Sequence, residues 1–231
     1  MAARTYYTLV ASLPALPRFE EADRLPINET RLTERLRMLH PDDADYVAQL
    51  SRAIRWENHP PGEGDVEVVA HYRDLLREKT HPDVRAAVEF RLELRTVLAA
   101  LRRRVRGEAD GPSDPDWGVG RWVRHIEANW ADPDFKLAHV FPWIPEAREH
   151  LENGEALALE KLVMRLVWDA LDRSAVGRHF VLENIIVFLS KWDILRRWLS
   201  YGEEPALERF ENLAASLLAE PGDENRTTRT S

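Results

Sequence analysis

Cysteine is absent from this chain of 231 residues. Its absence excludes disulfides, thiol catalysis and metal sites built from Cys ligands. It also fits a reducing compartment, where disulfides are rare.

Long apolar runs are missing as well: the longest strongly apolar run is Ile185–Leu189, whereas a membrane span needs roughly 20 such residues. Because Pro14 and Pro17 interrupt the first apolar stretch, it is not typical of a signal peptide. We expect no membrane span and a cytoplasmic location.

An excess of positive charge is also missing, since the formal net charge is -8. Nucleic-acid binding needs a basic surface, so we expect no nucleic-acid partner. The phosphate-binding Gly-x-x-x-x-Gly-Lys-Ser/Thr loop does not occur. Gly118 and Gly120 lack a preceding strand and a third glycine, so they do not form a dinucleotide loop. We expect neither nucleotide nor cofactor.

The eight histidines suggest a metal site, but their neighbours do not complete one. Glu78 and His81 have the Glu-x-x-His spacing of di-iron bundles, which need two such motifs on facing helices. Glu146 and His150 share a helix face without forming a His-Glu-x-x-His motif. We interpret these histidines as surface or capping residues, and we predict no catalytic and no metal-binding residues.

Hydrophobic residues make up 44% of the chain, and most of them follow helical spacing rather than alternation. The pattern predicts an all-α fold, a helical repeat or bundle of about seven to nine helices in two related halves. A short extended N-terminal segment is the possible exception, because Tyr6–Val10 fits a strand or the start of a helix. Further helices are predicted from Asp65, with Val69 and Tyr72 on one face, and after Thr80 as N-cap.

Breakers divide the chain into two halves. Residues 1–106 form the predicted N-terminal helical half, and the polar segment 107–116 forms a linker. Residues 117–219 form the C-terminal half, and 220–231 a disordered tail. Near the end, we expect one helix over Phe180–Tyr201 and a separate last helix that starts at Pro205.

The halves carry a possible internal repeat. Phe-x-Leu-Glu-x-x-x-Val occurs at Phe90–Val97 and again at Phe180–Val187, each time on a predicted long helix. Basic residues and then a glycine follow both copies. Amphipathic helices often share such patterns, so coincidence and duplication both stay open.

Arginines cluster near these helix ends: Arg102, Arg103 and Arg104 in the first half, and Arg196 and Arg197 in the second. Cations near a helix C-terminus complement the dipole without any partner. Guanidinium groups also pair bidentately with carboxylates and carbonyls. The five arginines are therefore our candidate partner-contact residues, with helix-end stabilisation as the alternative.

Two stretches resemble a known family. Tyr6–Pro14 (YYTLVASLP) resembles the opening of a bacterial domain-of-unknown-function family. Leu189–Leu199 (LSKWDILRRWL), followed by Glu208-Arg209-Phe210, is similar to that family's C-terminal helices. Members of that family are typically encoded beside V-type ATPase subunits. The helix containing Leu92–Arg102 also resembles the repeated helix of the central-stalk C subunit of V/A-type ATPases, which is called d in eukaryotes.

The resemblance implies a non-catalytic adaptor in the central stalk of a bacterial V/A-type ATPase. Its partners would be the membrane rotor ring and the axle of the soluble motor. It would lie at the inner face of the cell membrane, held there through the complex. The alternatives are a stand-alone soluble helical enzyme or metal-binding protein with an unrecognised site, and an unrelated helical scaffold protein.

Overall fold

A computed structural model of the chain describes residues 4–54, 82–108, 111–112, 117–177 and 179–218. Within these ranges there are eight α-helices, one 3-10 helix and no strand. The helices are α1 (Tyr7–Ser12), α2 (Glu29–Leu36), α3 (Pro41–Ile54), α4 (Pro82–Val105), α5 (Val123–Ala128), α6 (Ile144–Glu152), α7 (Ala156–Ala175) and α8 (Leu182–Leu218). The 3-10 helix Phe19–Glu21 lies between α1 and α2. The predicted all-α class and number of helices are confirmed.

Several helix starts follow from their sequence. The Asn28 side chain accepts a hydrogen bond from the backbone N–H of Arg31 at 2.9 Å, which caps α2. Pro41 and Pro82 are the first residues of α3 and α4, positions where the missing N–H of proline costs nothing. The predicted third helix after Asp65, the Thr80 cap and the tail 220–231 lie outside the described residues.

The main core contains residues from both sides of the segment 107–116. Val97 and Leu101 of α4 are fully buried together with Ile126 of α5 and Ile144 of α6. Helices α7 and α8 complete this cluster, so α4 packs with the C-terminal helices. The predicted boundaries and the proposed duplication stay predictions.

Three tryptophans join this packing to the backbone and to a carboxylate. The indole N–H of Trp130 donates to the carbonyl of Glu108 at 2.8 Å, and that of Trp192 donates to the carbonyl of Ile27 at 2.9 Å. The indole of Trp117 donates to the carboxylate of Glu127 at 2.9 Å. Buried N–H groups need such acceptors, so these contacts fix the connections that run beside the core.

The N-terminal segment is helical, which decides between the two alternatives predicted for Tyr6–Val10. α1 buries Leu9 in a second cluster, together with Leu50 of α3 and Ile185 of α8. The backbone N–H of Tyr6 donates to the carbonyl of Phe180 at 2.6 Å, and its hydroxyl bonds the Asp43 carboxylate. α1 is thereby attached to the starts of α3 and α8.

The second repeat copy does not begin on a helix, contrary to the prediction. α8 starts at Leu182, and Phe180 has a left-handed backbone with φ of 61°. This conformation is uncommon for residues other than glycine. It follows the turn at Gly177, and the Asn184 side chain accepts a hydrogen bond from the backbone N–H of Val181 at 3.2 Å.

The prediction of a new helix at Pro205 is also wrong. α8 runs without interruption from Leu182 to Leu218, past Gly202 and Pro205. Proline in a helix removes one hydrogen bond, here the bond to the carbonyl of Tyr201, but its φ suits the helix. The sequence of breakers thus marks a weakened point of one helix rather than an end.

Candidate functional site

The side chain of Arg104 makes its hydrogen bonds within the chain. Its guanidinium donates to three successive carbonyls, those of Trp130, Ala131 and Asp132, with the Asp132 bond at 2.9 Å and the Ala131 bond at 3.2 Å. These carbonyls follow α5, where the chain leaves the helix. Arg104 therefore joins the end of α4 to the segment after α5.

Arg103 differs from Arg104 in its contacts, and Arg102 differs from both in its exposure. Arg103 is half-buried, and its Nη1 lies 3.7 Å from the Glu108 carboxylate. The backbone N–H of Glu108 donates to the carbonyl of Arg103 at 3.2 Å, which closes the turn after α4. Arg102 is exposed. The side chain of Arg102 is thus the most accessible of this group.

Arg197 belongs to a polar cluster between α7 and α8. Its Nε lies 2.5 Å from Oε1 of Glu160, and the Tyr201 hydroxyl donates to the other oxygen of that carboxylate. Burial, and then the hydrogen bond to Glu160, raises the pKa of Tyr201 to about 12. One carboxylate on α7 therefore holds two side chains of α8.

Arg196 lies along its own helix. Its Nη2 is 3.1 Å from Oδ1 of Asp193, and its guanidinium carbon lies 5.7 Å from the centre of the Trp192 ring. A cation over an aromatic face is attracted by the ring electrons. The contacts described for Arg104 and Arg197 are with different segments, and none of them joins the two arginine groups. Their role in binding a partner stays a prediction.

The loop after α5 that receives Arg104 is shaped by a local carboxylate. Oδ1 of Asp132 accepts hydrogen bonds from the backbone N–H groups of Lys136 at 2.9 Å and Asp134 at 3.0 Å. These bonds lower the pKa of Asp132. Phe135 and Lys136 have φ of 53° and 54°, and such a backbone is held only by surrounding contacts.

A cavity of about 380 Å³ lies between the α2–α3 pair and α8. Aliphatic side chains form most of its wall, including Leu32, Leu36, Val47, Leu50, Ile186 and Leu189. Ala44 and Ala48, four residues apart on α3, and Ser190 on α8 also line it. Because these three side chains are small, the facing helices leave space between them. The four-residue spacing of two small side chains on α3 is a sequence signal for such a space.

The cavity also has polar groups on its wall. Thr33 and Ser190 contribute hydroxyls, Glu29 and Asp193 carboxylates, and Arg91 and Arg197 guanidiniums. Asp193 is engaged by Arg196, and Arg197 by Glu160. An aliphatic hollow with a few polar groups is the usual composition of a small-molecule site.

The histidine at the end of α6 contacts two carboxylates. Nδ1 of His150 lies 2.7 Å from Glu155, and its Nε2 lies 3.8 Å from Glu146. These contacts link α6 to the start of α7. In the part of the chain that the structure covers, no three such side chains are arranged to hold a metal ion. Glu78 and His81 lie outside that part.

None of the helices in the described ranges combines the length and the apolar character that crossing a bilayer requires.

The described residues form an all-helical protein with a shared core. Two of its arginines, Arg104 and Arg197, bond within the chain, and an aliphatic cavity lies beside α8. Residues 65–220 match the family described as "Protein of unknown function (DUF2764)". The chain therefore belongs to that family. No curated protein and no solved structure matches it.

Of the two stretches that carry the family resemblance, the matched residues include only one. Leu189–Leu199 lies inside the matched residues, whereas Tyr6–Pro14 lies before them. The resemblance to an uncharacterised family is thereby confirmed in general. The association with V-type ATPases is a separate matter, because the family's description assigns no function.

Proposed function

We propose that this protein is a non-catalytic adaptor in the central stalk of a bacterial V/A-type ATPase. It would connect the membrane rotor ring to the axle of the soluble motor, at the inner face of the cell membrane. The observation that carries the proposal is the stretch Leu189–Leu199, which resembles the C-terminal helices of a family encoded beside V-type ATPase subunits.

The position of this stretch supports the proposal. It lies in α8, where Trp192 and Leu195 are buried against the rest of the molecule. An adaptor that transmits torque works through rigid packing and surfaces, and it needs no nucleophile, nucleotide or metal of its own. Long helices joined by buried hydrophobic clusters suit that task.

The arginine contacts refine the candidate interface. Arg104 and Arg197 bond to the chain itself, so replacing them would change folding as well as any surface. Arg102 is exposed, and Arg103 is half-buried beside Glu108. These two residues are therefore the better pair for a test of partner contact.

The proposal is tested by purifying the tagged full chain from membranes of the organism that encodes it. We expect the rotor-ring and axle subunits of a V/A-type ATPase to co-purify in fixed ratio. Arg102→Gln with Arg103→Gln removes both positive charges without placing negative charge at the helix end, and it should reduce this recovery in a variant that still melts cooperatively. Exposed Arg85 on the same helix, paired with Glu89, is the matched control. Recovery of the tagged chain without any ATPase subunit would contradict the proposal.

A further inference from the structure

We propose that residues 14–24, the N-terminal strap, occupy a peptide-binding slot on α7 and α8 and are displaced from it by a partner segment of the same chemistry. That chemistry is a phenylalanine with an arginine before it and a glutamate after it. The inference goes beyond the stalk role and does not depend on it. It rests on how the strap is seated, on the charges beside the slot and on the contacts that hold the strap.

The slot holds the ring of Phe19, which is fully buried. This ring lies 5.9 Å from the Trp168 ring of α7 and 5.3 Å from the Trp198 ring of α8, measured between centroids. The contact with Trp198 is edge to face, at 80° between the ring planes. Aromatic pairs favour this arrangement and these separations, so the slot fits an aromatic side chain.

The two residues beside Phe19 meet opposite charges on α7. Nη2 of Arg18 lies 3.2 Å from Oδ1 of Asp169, and Oε1 of Glu20 lies 3.1 Å from Nε of Arg165. Because Asp169 and Arg165 are four residues apart, they lie on the same side of the helix. The slot therefore favours a segment that reads Arg-Phe-Glu over one with the two charges exchanged.

The strap is held by side chains rather than by a backbone ladder. Its backbone hydrogen bonds, from Glu21 and Ala22 to the carbonyls of Arg18 and Phe19, stay inside the strap, all of which the structure describes. Of the strap residues, Phe19 alone is buried. The side chains of Arg18 and Arg165 are 42% and 41% exposed, and exposed ion pairs contribute little to stability. Such a segment opens locally before the whole molecule unfolds.

The strap and a partner segment compete for one slot. A tethered segment acts at an effective concentration on the order of millimolar, so the strap keeps out a free peptide of equal affinity at lower concentrations. A strap that no longer fits does not compete. Binding in trans should therefore be weak in the wild type and strong in a variant with a loosened strap.

The probe is a labelled peptide with the sequence of residues 14–24, PALPRFEEADR, and fluorescence anisotropy measures its binding to the purified full chain. Phe19→Ala empties the slot, so this variant should bind one peptide per chain, about tenfold or more tighter than the wild type. Exposed Asp23→Ala leaves the slot contacts intact and is the control, with wild-type affinity. A peptide with alanine in place of the phenylalanine should bind neither chain.

A second variant keeps Phe19 and serves if Phe19→Ala does not melt cooperatively. Arg18→Glu with Glu20→Arg places like charges beside Asp169 and Arg165, and it should also bind the peptide about tenfold or more tighter than the wild type. Adding Asp169→Arg with Arg165→Glu restores opposite charges between strap and slot. This fourfold variant should lose the gain, because its strap fits again and its slot repels the charges of the peptide.

Three results would overturn the proposal. Equal peptide affinity of the wild type and the loosened variants would place the binding outside the slot. Absence of binding by a loosened variant that melts cooperatively would show that the slot takes no segment in trans. Equal binding of the alanine peptide would show that the aromatic side chain is not what is recognised.

Discussion

At the scale of single residues, the sequence shows where arginines cluster, but it does not show which groups they contact. The cluster Arg102–Arg104 was visible, and helix-dipole complementation was one interpretation of it. In the structure, the guanidinium of Arg104 donates hydrogen bonds to the carbonyls after α5. Those acceptors lie 26 to 28 residues away along the chain, and only the tertiary fold brings them to the guanidinium.

Replacing Arg104 tests this internal role. Arg104→Met keeps much of the stem but removes all three hydrogen bonds, so we expect a loss of about 2 kcal/mol in the free energy of unfolding. Urea titration measures it. Arg85→Met is the control, because an exposed pair four residues apart on a helix contributes only about 0.3–0.5 kcal/mol. Equal stability of the two variants would show that the Arg104 contacts carry no net stabilisation.

Tyr201 makes the stability depend on alkaline pH. Its pKa in the folded chain is raised to about 12, whereas an unfolded tyrosine ionises near about 10. The unfolded state therefore loses its proton first. The contribution of the hydroxyl is complete below about pH 10 and is lost as the pH rises toward 12.

Tyr201→Phe removes this dependence. We expect the stability difference between the wild type and the variant to shrink as the pH rises above about 10, since phenylalanine has no proton to lose. Urea unfolding of both proteins at pH 8, 9, 10 and 11 measures the difference. A constant difference across this series would show that the Tyr201 proton is not linked to folding.

At the scale of elements, hydrophobic spacing predicted where most of the described helices lie. Helix-breaking residues were a poorer guide to where the helices begin and end. The spacing of Leu159, Leu162, Val163, Leu166, Val167 and Ala170 predicts one buried face of α7. Four of the six are buried, and Leu166 and Ala170 are half-buried. Pro205 predicted a helix start, yet α8 continues through it. Proline lowers helix stability without forbidding the helix. Phe180 was predicted on the helix, but it lies before α8 with a left-handed backbone, and its carbonyl accepts the N–H of Tyr6.

The loop before α5 offers a sharp test of packing between elements. A Cβ added at Gly118 would lie 2.8 Å from Cγ2 of Thr96 and 3.2 Å from Val123. Thr96 is buried, and its hydroxyl bonds both the N–H and the carbonyl of Val119. Gly118→Ala should therefore destabilise the chain by about 1–3 kcal/mol, the usual cost of overpacking.

Thr96→Ser supplies the matched rescue. Serine keeps the hydroxyl and its two hydrogen bonds but lacks the crowding Cγ2 atom. We expect the Gly118→Ala substitution to cost less in the Thr96→Ser background than in the wild type, as a double-mutant cycle of urea midpoints measures. If the cost is the same in both backgrounds, contact with Thr96 is not its cause.

At the scale of the whole molecule, composition and spacing predicted the all-α class but not the shared core. The spacing of Trp117, Trp122, Ile126 and Trp130 predicts one aromatic helical stripe. The structure buries Trp117 and Ile126 in one cluster with Val97 and Leu101 of α4, which joins segments on either side of 107–116. The cavity beside α8 was missed for the same reason. It depends on which faces meet, and Ala44 and Ala48 alone do not specify the helix opposite them.

The stalk role is the central claim for the whole molecule, and reconstitution tests it most directly. The purified full chain would be mixed with the detergent-solubilised rotor ring and the axle subunits of the V/A-type ATPase from the same organism. Light scattering after size exclusion would then give the mass of the product. The account predicts a complex with one copy of this chain between ring and axle, and no ring–axle complex without it. A ring–axle complex that forms without this chain, while the chain elutes alone, would contradict the account.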